Sequence, residues 1–402
     1  MQNRMKHRSA LEDLPGDSNR AIALRLLRRH RQLSRSEIAH RAGLSEASVS
    51  RIVSRLTRSR LVTEVGASRS TGGRPAARLQ FDESLHHSVG VDIHDWETRV
   101  AVGTLSGRLE QVMSFPTPSS PVATLDAVAE RVGGVAEKRP DIELAGVGVS
   151  VRGLVNSRTG VVERGVDREW TRIPVREYLE DKLELPVYVD NNVRSAAFAE
   201  YHYGSPDVQD CHCLLFVMVG EGIGFSMVVN GELYYGQHMA AGEFGQMVIA
   251  DTGGNETHDR PGSLESLAAD GATCARFMTG NGARKLSGDS VVSSARAVAH
   301  RALAGDDRAR EVLQETARYL GIGIANAIWG LDPDAVVVDG TIVEAWPVIA
   351  PVLYGQFADG REFLNFRHLI LRPSALRGQA AMIGAAALPF QWLFAAGDSF
   401  AR

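Results

Sequence analysis

The sequence is poor in cysteine and contains no long apolar run. Only Cys211, Cys213 and Cys274 occur in 402 residues, too few for a disulfide framework, so we expect a protein of the reducing cytoplasm. The longest run of small apolar residues, 380–390, is shorter than the ~18 residues that a membrane-spanning helix requires, so no membrane partner is predicted. Residues 1–18 lack the apolar core of a signal peptide, and we expect a disordered tail there.

Positive charge is scarce in most of the chain but abundant at its N-terminal end. Residues 1–80 hold 17 Arg or Lys against 6 Asp or Glu, whereas the remainder holds 27 basic and 42 acidic residues. The net charge of -4 therefore conceals a basic module joined to an acidic body. This asymmetry indicates that the N-terminal module binds a polyanion.

The basic module has the pattern of a helix-turn-helix. Residues 19–30 carry apolar residues at helical spacing, with arginines that include Arg28 predicted on another face of the helix. Ser34, followed three residues later by Glu37, forms the capping box of a second helix, which Gly43 ends. Two helices joined by a tight turn that contains glycine are typical of this motif.

The next helix has the composition of a recognition helix. Ser45 caps it, and four apolar residues at helical spacing from Val49 to Leu56 are predicted to face the core. Small and hydroxyl side chains near its start let the backbone approach the DNA major groove, while Arg51 and Arg55 can reach bases or phosphates. The alternative is the solvated face of a small helical bundle. The candidate DNA-binding residues here are Ser34, Arg35, Ser45, Glu46, Ala47, Ser48, Ser50, Arg51, Ser54 and Arg55.

Two predicted strands, 61–65 and 77–81, flank the sequence ASRSTGGRPA and would complete a winged helix. Gly73, Arg74 and Pro75 are further candidate DNA-binding residues, because an extended Arg suits a narrow minor groove. The alternative is an ordinary glycine- and proline-containing hairpin with an incidental Arg.

From residue 87 onward, strands and helices alternate in two similar sets. Strands at 88–93, 98–105 and 108–115 precede a helix at 125–138 and a buried strand at 144–151. The second set has strands near 213–219 and 224–229, helices at 293–303 and 309–329, and a strand at 335–338. This repetition predicts two α/β lobes with a cleft between them, the architecture of actin-like sugar kinases.

Several motifs resemble those of the ROK family of repressors, open reading frames and sugar kinases. In chain order they are GGRP, LPVYVDNNVRSAAFAE, VGEGIGFSMVVNGELYYGQHMAAGEFGQM, LDPDAVVVDG and SALRGQAAMIGAAAL. The resemblance implies an α/β fold with an N-terminal winged helix-turn-helix followed by two actin-like, ribonuclease-H-like ATPase lobes. Only the family's repressors carry the winged helix, so the resemblance also implies a transcriptional regulator.

This resemblance sets the expected domain boundaries. We expect the winged helix at 19–82, the first lobe at 83–200, the second lobe at 201–388 and a tail from 389. The last helix of the second lobe, near 376–388, is a candidate to pack back on the first lobe.

The phosphate loops that the family's kinases use are altered in this sequence. Asp92 of the first loop is present, but bulky and acidic residues replace the glycines that follow it. The second loop keeps its turn glycines around Glu221, which places an anion where phosphate would lie. We therefore expect no kinase activity and no cofactor.

The helix that starts near Asn192 offers amides where the kinases have a catalytic base. In the kinases an Asn-Asp pair begins this helix, and its Asp is the general base; here the pair is Asn191 and Asn192. An amide can bind a sugar hydroxyl but cannot deprotonate it at neutral pH. Alternatively, these amides only cap the helix. Arg194 introduces a charge that either binds an acidic effector group or pairs with Asp190 or Glu200.

Two further motifs of the family's sugar site are partly present. Glu243 and Gln246 stand in GEFGQ, where the family has a His in place of Gln, and Glu265 stands in SLE, where the family has a Cys in place of Ser. No Cys occurs from 245 to 265, so we predict that the family's structural zinc is absent. The candidate effector-binding residues are therefore Asn191, Asn192, Arg194, Glu243, Gln246 and Glu265.

Taken together, these features predict a cytoplasmic DNA-binding regulator that senses a sugar or sugar derivative. Its expected partners are a double-stranded, palindromic operator and a second copy of the chain, in a homodimer or a tetramer. Two alternatives remain open: an active sugar kinase with a DNA-binding head, and a DNA-binding scaffold without a small ligand.

Overall fold

The computed structural model describes residues 18–67, 77–166, 169–251, 260–279, 294–357 and 368–394. Gly73, Arg74 and Pro75, predicted for the wing, lie outside these residues, as do residues 1–17 and 395–402. Contacts divide the chain into two units, one formed by 1–209 with 379–402 and the other by 210–378.

The first unit begins with a winged helix. Its elements are α1 (Ser18–His30), β1 (Leu33–Ser34), α2 (Arg35–Ala42), α3 (Glu46–Arg58), β2 (Val62–Ala67) and β3 (Ala77–Phe81). The three strands form an antiparallel sheet in the order β1-β3-β2. The predicted capping box is present, since the Ser34 hydroxyl accepts a hydrogen bond from the Glu37 backbone while the Glu37 carboxylate accepts one from the Ser34 backbone. Gly43 ends α2 at φ 65°, a left-handed conformation that favours glycine.

The face of α1 that is buried in the structure differs from the apolar face that the sequence predicts. Leu24 and Leu27 are fully buried, and Arg20 and Arg28 are buried beside them. Assigning Arg28 to a different face from the apolar residues was therefore wrong. Helical spacing alone did not find this face, because its partners come from distant parts of the chain.

The first lobe follows the winged helix. Its strands are β4 (His86–Ile93), β5 (Glu97–Thr104), β6 (Leu109–Pro116), β7 (Glu143–Val151), β8 (Leu154–Asn156), β9 (Val161–Arg164) and β10 (Val187–Asn191), and its helices are α4 (Pro121–Lys138), α5 (Val175–Leu183) and α6 (Asn192–Tyr203). The main sheet has the order β10-β7-β4-β5-β6. Strands β10, β7 and β4 are parallel, so Asp92, Ser150 and Asp190 occupy matching positions near their carboxyl ends.

A helix from the C-terminal end of the chain packs on this sheet. It is α12 (Ala380–Ala387), which contacts α6 and β4 most extensively. Glycines allow the close approach: a Cβ on Gly148 would lie 1.8 Å from the Ala385 carbonyl oxygen, and one on Gly384 would lie 1.9 Å from the Ser195 carbonyl oxygen. The small side chains of this helix therefore serve close packing on the first lobe.

The residues after α12 are folded, where the sequence analysis expected a tail from residue 389. A short 3₁₀ helix, Leu388–Phe390, leads into α13 (Gln391–Phe394). Phe390, Leu393 and Phe394 are buried in the same hydrophobic core as Leu24 and Leu27 of the winged helix. The apolar side chains of this segment thus gain a partner that is more than 360 positions away in the sequence.

The second unit repeats the topology of the first lobe. Its strands are β11 (Cys213–Val219), β12 (Ile223–Val229), β13 (Glu232–Leu233), β14 (Ala335–Gly340) and β15 (Ile370–Pro373), and its helices are α7 (Leu264–Ala268), α8 (Asp270–Thr279), α9 (Ala295–Leu303), α10 (Asp307–Leu331) and α11 (Trp346–Gly355). The sheet order is β13-β12-β11-β14-β15, with β11, β14 and β15 parallel. Each unit thus contains an antiparallel meander joined to two parallel strands. The predicted α/β fold is confirmed.

Candidate functional site

Helix α3 presents a small, polar and basic face. Its apolar side chains Val49, Ile52, Val53 and Leu56 are buried, as the sequence predicts. The Ser45 hydroxyl caps the helix by accepting a hydrogen bond from the Ser48 backbone at 3.2 Å. Glu46, Ala47, Ser50, Arg51 and Ser54 are exposed, and Ser48 and Arg55 are partly exposed. This face has the small side chains and cations that major-groove recognition requires.

Two of the candidate DNA-binding residues on α2 have structural partners. Ser34 is buried and its hydroxyl caps α2. The Arg35 guanidinium forms a 2.6 Å ion pair with Glu64 of β2. By contrast, within the part of the chain that the structure describes, Arg51 contacts only its own helix, donating to the Ala47 carbonyl oxygen at 3.4 Å and to the Ser48 hydroxyl at 3.5 Å. Arg51 is therefore the arginine of this face that can most readily reach a ligand.

A buried network surrounds Asp190, which the sequence analysis did not include among the site residues. The Asp190 carboxylate accepts hydrogen bonds from the Arg194 Nε at 2.6 Å, the Ser157 hydroxyl at 2.8 Å and the Asn191 backbone at 2.7 Å. The Arg194 guanidinium also donates to the Val155 carbonyl oxygen at 2.7 Å. Side-chain exposure in the ion pair is 5% for Arg194 and 2% for Asp190. Of the two interpretations of Arg194, the structure shows the pairing with Asp190.

The two asparagines at the start of α6 have different environments. The Asn191 side-chain oxygen accepts hydrogen bonds from the backbones of Val193 and Arg194, while its amide donates to the Gly153 carbonyl oxygen at 2.9 Å. Asn191 therefore acts as a helix cap. Asn192, the first residue of α6, is 8% exposed.

Three side chains contact the carboxylate of Asp92 near the end of β4. The Asp92 carboxylate is buried, accepts a hydrogen bond from the Ser150 hydroxyl at 3.0 Å and lies 2.9 Å from His94 Nε2. The Arg99 guanidinium lies 3.4 Å from the same carboxylate. His94, Arg99 and Ser150 thus all contact the buried Asp92 carboxylate.

In the second unit, Glu265 joins two of the predicted site segments. One carboxylate oxygen accepts a hydrogen bond from the Ile223 backbone at 2.8 Å, and the other accepts one from the Gln246 amide at 3.3 Å. A Cβ on Gly222 would lie 2.7 Å from this carboxylate. The structure therefore brings Gln246 and Glu265 together beside the second glycine loop, while Glu243 is exposed just before Gln246.

Asp270 lies between the two loops that follow β11 and β14. Its backbone N–H donates to the Gly220 carbonyl oxygen at 2.8 Å, and its carboxylate accepts the Thr341 hydroxyl at 2.7 Å. Burial raises the pKa of the Asp270 carboxyl, and the neighbouring charge of Glu221 raises it further. Burial also raises the pKa of Asp339 at the end of β14. Asp270 was not among the predicted site residues, because it is distant from the glycine loop in the sequence and only the fold brings the two together.

Two further expectations concern metals and membranes. Among the described residues, no cluster of three or more His, Cys, Asp or Glu side chains could hold a metal ion. Residues 252–259 of the segment where the family's zinc would be held lie outside those residues, so the absence of zinc stays a prediction. Within the described part of the chain, no helix has the length and apolarity that crossing a membrane demands.

Comparisons with known proteins agree with this geometry. The family model described as "ROK family" matches residues 88–391, and the model of the IclR helix-turn-helix domain matches residues 21–66. The DNA-binding transcriptional dual regulator NagC of Escherichia coli K12 is 28% identical over 350 residues, which cover 85% of this chain and 84% of NagC. The xylose repressor of Bacillus subtilis is 26% identical over 378 residues, which cover 91% of this chain and 93% of the repressor.

Solved structures share the fold. A ROK family transcriptional regulator, described as a homolog of the E. coli MLC protein, superposes with a TM-score of 0.77 and 22% identity over 94% of this chain and 98% of its own. A ROK family glucokinase from Streptomyces griseus, crystallised with glucose and AMPPNP, superposes with a TM-score of 0.63 and 24% identity. The superposition covers 76% of this chain and 99% of the glucokinase, so about a quarter of this chain has no counterpart in the glucokinase.

Proposed function

Because this chain belongs to the ROK family and carries an N-terminal helix-turn-helix domain, we propose that it is a transcriptional repressor whose DNA binding responds to a sugar or sugar derivative. The observation that carries the proposal is the exposed face of α3, with Ala47, Ser50 and Arg51, on a chain whose remaining length has the ROK fold. Relatives that are named N-acetylglucosamine repressor and xylose repressor support a sugar effector. Because its proposed target is DNA, we propose that the protein acts in the cytoplasm.

We propose further that the body does not phosphorylate its effector. Asn192 supplies an amide where a general base is needed, and an amide has no basic lone pair at neutral pH. The Asp92 carboxylate is engaged by Ser150, His94 and Arg99. Asp270 adds a carboxylate beside the second glycine loop, where it would repel a triphosphate.

We propose that the effector is uncharged. The charge of Arg194 is satisfied by Asp190, so it offers no attraction for a carboxylate or phosphate on the effector. The remaining candidates, Asn192, Glu243, Gln246 and Glu265, are amides and carboxylates, which suit sugar hydroxyls as donors and acceptors. A neutral sugar is therefore proposed over a sugar acid or sugar phosphate.

Operator recognition requires two copies of the chain. A single winged helix presents one recognition helix, and an operator with two-fold symmetry is read by two. We propose a homodimer on a palindromic operator, in which the effector shifts the population between a DNA-binding and a non-binding state.

Three experiments on the purified protein test this proposal: DNA selection, a phosphorylation assay and a thermal-shift screen with neutral sugars. Selection from a random DNA library should enrich one palindromic sequence, and incubation with ATP and a panel of neutral sugars should yield no sugar phosphate. Steady phosphorylation that Asn192→Ala abolishes would instead establish a kinase with a DNA-binding head. Enrichment of DNA, combined with no thermal shift for any sugar, would favour a scaffold without a ligand.

A further inference from the structure

The winged helix and the first lobe share one hydrophobic core. Leu24 and Leu27 of α1 belong to the same buried cluster as Leu105 after β5 and as Phe390 and Leu393 of the C-terminal segment. These side chains are 0–1% exposed. A domain connected only by a flexible linker would not bury such residues against its neighbour.

Arg28 is placed at the centre of this contact. Its guanidinium lies 4.0 Å from the ring centroid of Phe394 and 5.2 Å from that of Tyr203, and it is hydrogen-bonded to Nδ1 of His202. Burial lowers the pKa of Arg28 to about 10, so the side chain remains charged at neutral pH. A buried cation held by aromatic faces and one directed hydrogen bond tolerates few orientations, because each contact depends on the plane of the guanidinium.

A second contact joins the other end of the DNA-binding motif to the lobe. The backbone carbonyl of Ser59, the C-cap of α3, accepts a hydrogen bond from His86 Nε2 at 2.8 Å. His86 is the first residue of β4 and is fully buried. Helices α1 and α3 are therefore each attached to the lobe by a directed polar contact, in addition to the apolar core.

His202 and Tyr203, which contact Arg28, lie at the C-terminal end of helix α6, and this helix begins at the candidate effector residue Asn192. Helix α6 runs from Asn192 to Tyr203 with every residue buried, a length of about 18 Å at 1.5 Å per residue. His202 and Tyr203 form its last turn. One buried helix thus extends from Asn192 to the guanidinium of Arg28.

We infer that Arg28 is a positioning residue, which holds the recognition helix in one orientation on the first lobe and thereby sets the half-site spacing that the protein accepts. This inference rests on the proposed function, since spacing has meaning only for a dimer on DNA. One base pair of added spacing rotates a half-site by about 34° around the DNA axis. A recognition helix held in one orientation cannot follow this rotation, whereas a loosely held helix can.

The orientation can be measured without DNA. In a chain with Cys274→Ser, cysteines introduced at the exposed positions Ser36 on α2 and Glu137 on α4 would carry spin labels for pulsed dipolar distance measurement. We expect a narrow distance distribution in the parent chain and a broader one in Arg28→Met. The methionine side chain fills the space of the Arg28 side chain but cannot form its hydrogen bond or its stacking contacts. Arg25→Met, on the same helix but only partly buried, is the matched control and should stay narrow.

The variant must be shown to fold. Burial of the charged Arg28 guanidinium carries a desolvation cost that methionine does not have, and this offsets the lost contacts, so Arg28→Met should melt close to the parent. If it does not fold, Arg28→Lys replaces it, because lysine keeps the charge but loses the planar stacking and should also broaden the distribution. A folded Arg28 variant with the parent's distribution would overturn the inference.

The DNA readout then follows. On the selected operator, changing the spacing by one base pair should lower affinity about tenfold or more for the parent and for Arg25→Met, but less than about threefold for Arg28→Met. Equal discrimination by all three proteins would overturn the assignment of spacing to Arg28. If the parent selects no DNA, the proposed function fails, while the distance measurement still decides whether Arg28 fixes the orientation.

Discussion

Substitution of Asp190 by asparagine tests whether the charge of Arg194 is satisfied within the protein. The two side chains are 2% and 5% exposed, and the Asp190 carboxylate accepts three hydrogen bonds of 2.6–2.8 Å. Removing one partner of a buried ion pair leaves an uncompensated charge, which costs about 3–5 kcal/mol. Because the asparagine oxygen can still accept hydrogen bonds, we expect Asp190→Asn to lose about 3 kcal/mol of unfolding free energy, near the lower end of that range.

The measurement is urea unfolding at pH 7, followed by circular dichroism. Asp126→Asn is the matched control, since the 2.5 Å ion pair of Asp126 with Lys182 is solvent-exposed and should contribute little to stability. Adding Arg194→Met to Asp190→Asn should recover most of the loss, because no unpaired charge remains. If Asp190→Asn lowers the free energy of unfolding no more than Asp126→Asn does, the charge of Arg194 is not neutralised by Asp190. The reason to expect a neutral effector then fails.

Three further predictions follow from single contacts. Arg51→Ala should weaken operator binding by about 1–3 kcal/mol if Arg51 contacts a base, or reduce the salt dependence of binding by about one ion if it contacts phosphate. Gly148→Ala should cost about 3 kcal/mol or more in unfolding free energy, because the added methyl meets α12, whereas Gly133→Ala, with open space in α4, should stabilise by about 0.5–1 kcal/mol. Asp270→Asn should stabilise the protein at pH 7.5 but not at pH 4.

The expected pH dependence of the Asp270→Asn effect follows from the raised pKa of the Asp270 carboxyl. A carboxyl whose pKa is higher in the folded state contributes stability at acid pH, and that contribution is lost as the pH rises through the folded value. Urea unfolding at both pH values measures the change in unfolding free energy, and an equal increase at pH 4 would contradict this reasoning.

For Arg51→Ala, unchanged affinity and unchanged salt dependence would remove Arg51 from the DNA interface. Equal stability of the two glycine variants would refute the close packing of α12.

Local patterns in the sequence predicted the local structure well. The capping box of Ser34 and Glu37, the turn at Gly43 and the buried face from Val49 to Leu56 depend on residues within one or two helical turns, and all are present. The alternation of strands and helices likewise predicted both lobes. Bounds of most elements shifted by one to four residues, which reflects fraying and capping at their ends.

Contacts between distant segments could not be predicted in the same way. The burial of Arg28 depends on Tyr203 and Phe394, which no helical periodicity connects to α1. For Arg194, the sequence left two interpretations open, because both an effector and Asp190 could pair with its charge, and only the folded structure revealed the ion pair with Asp190. Asp270 was missed since its position between two loops depends on the parallel pairing of β11 with β14.

We propose that a sugar controls DNA binding without being phosphorylated. Titration of neutral sugars, with N-acetylglucosamine and xylose among them, into the protein bound to its selected operator examines this in the absence of nucleotide, with fluorescence anisotropy of the labelled DNA as the readout. We predict that one sugar changes the operator affinity about tenfold or more, within the range of allosteric coupling energies. A response that appears only when ATP is present and consumed would contradict the account.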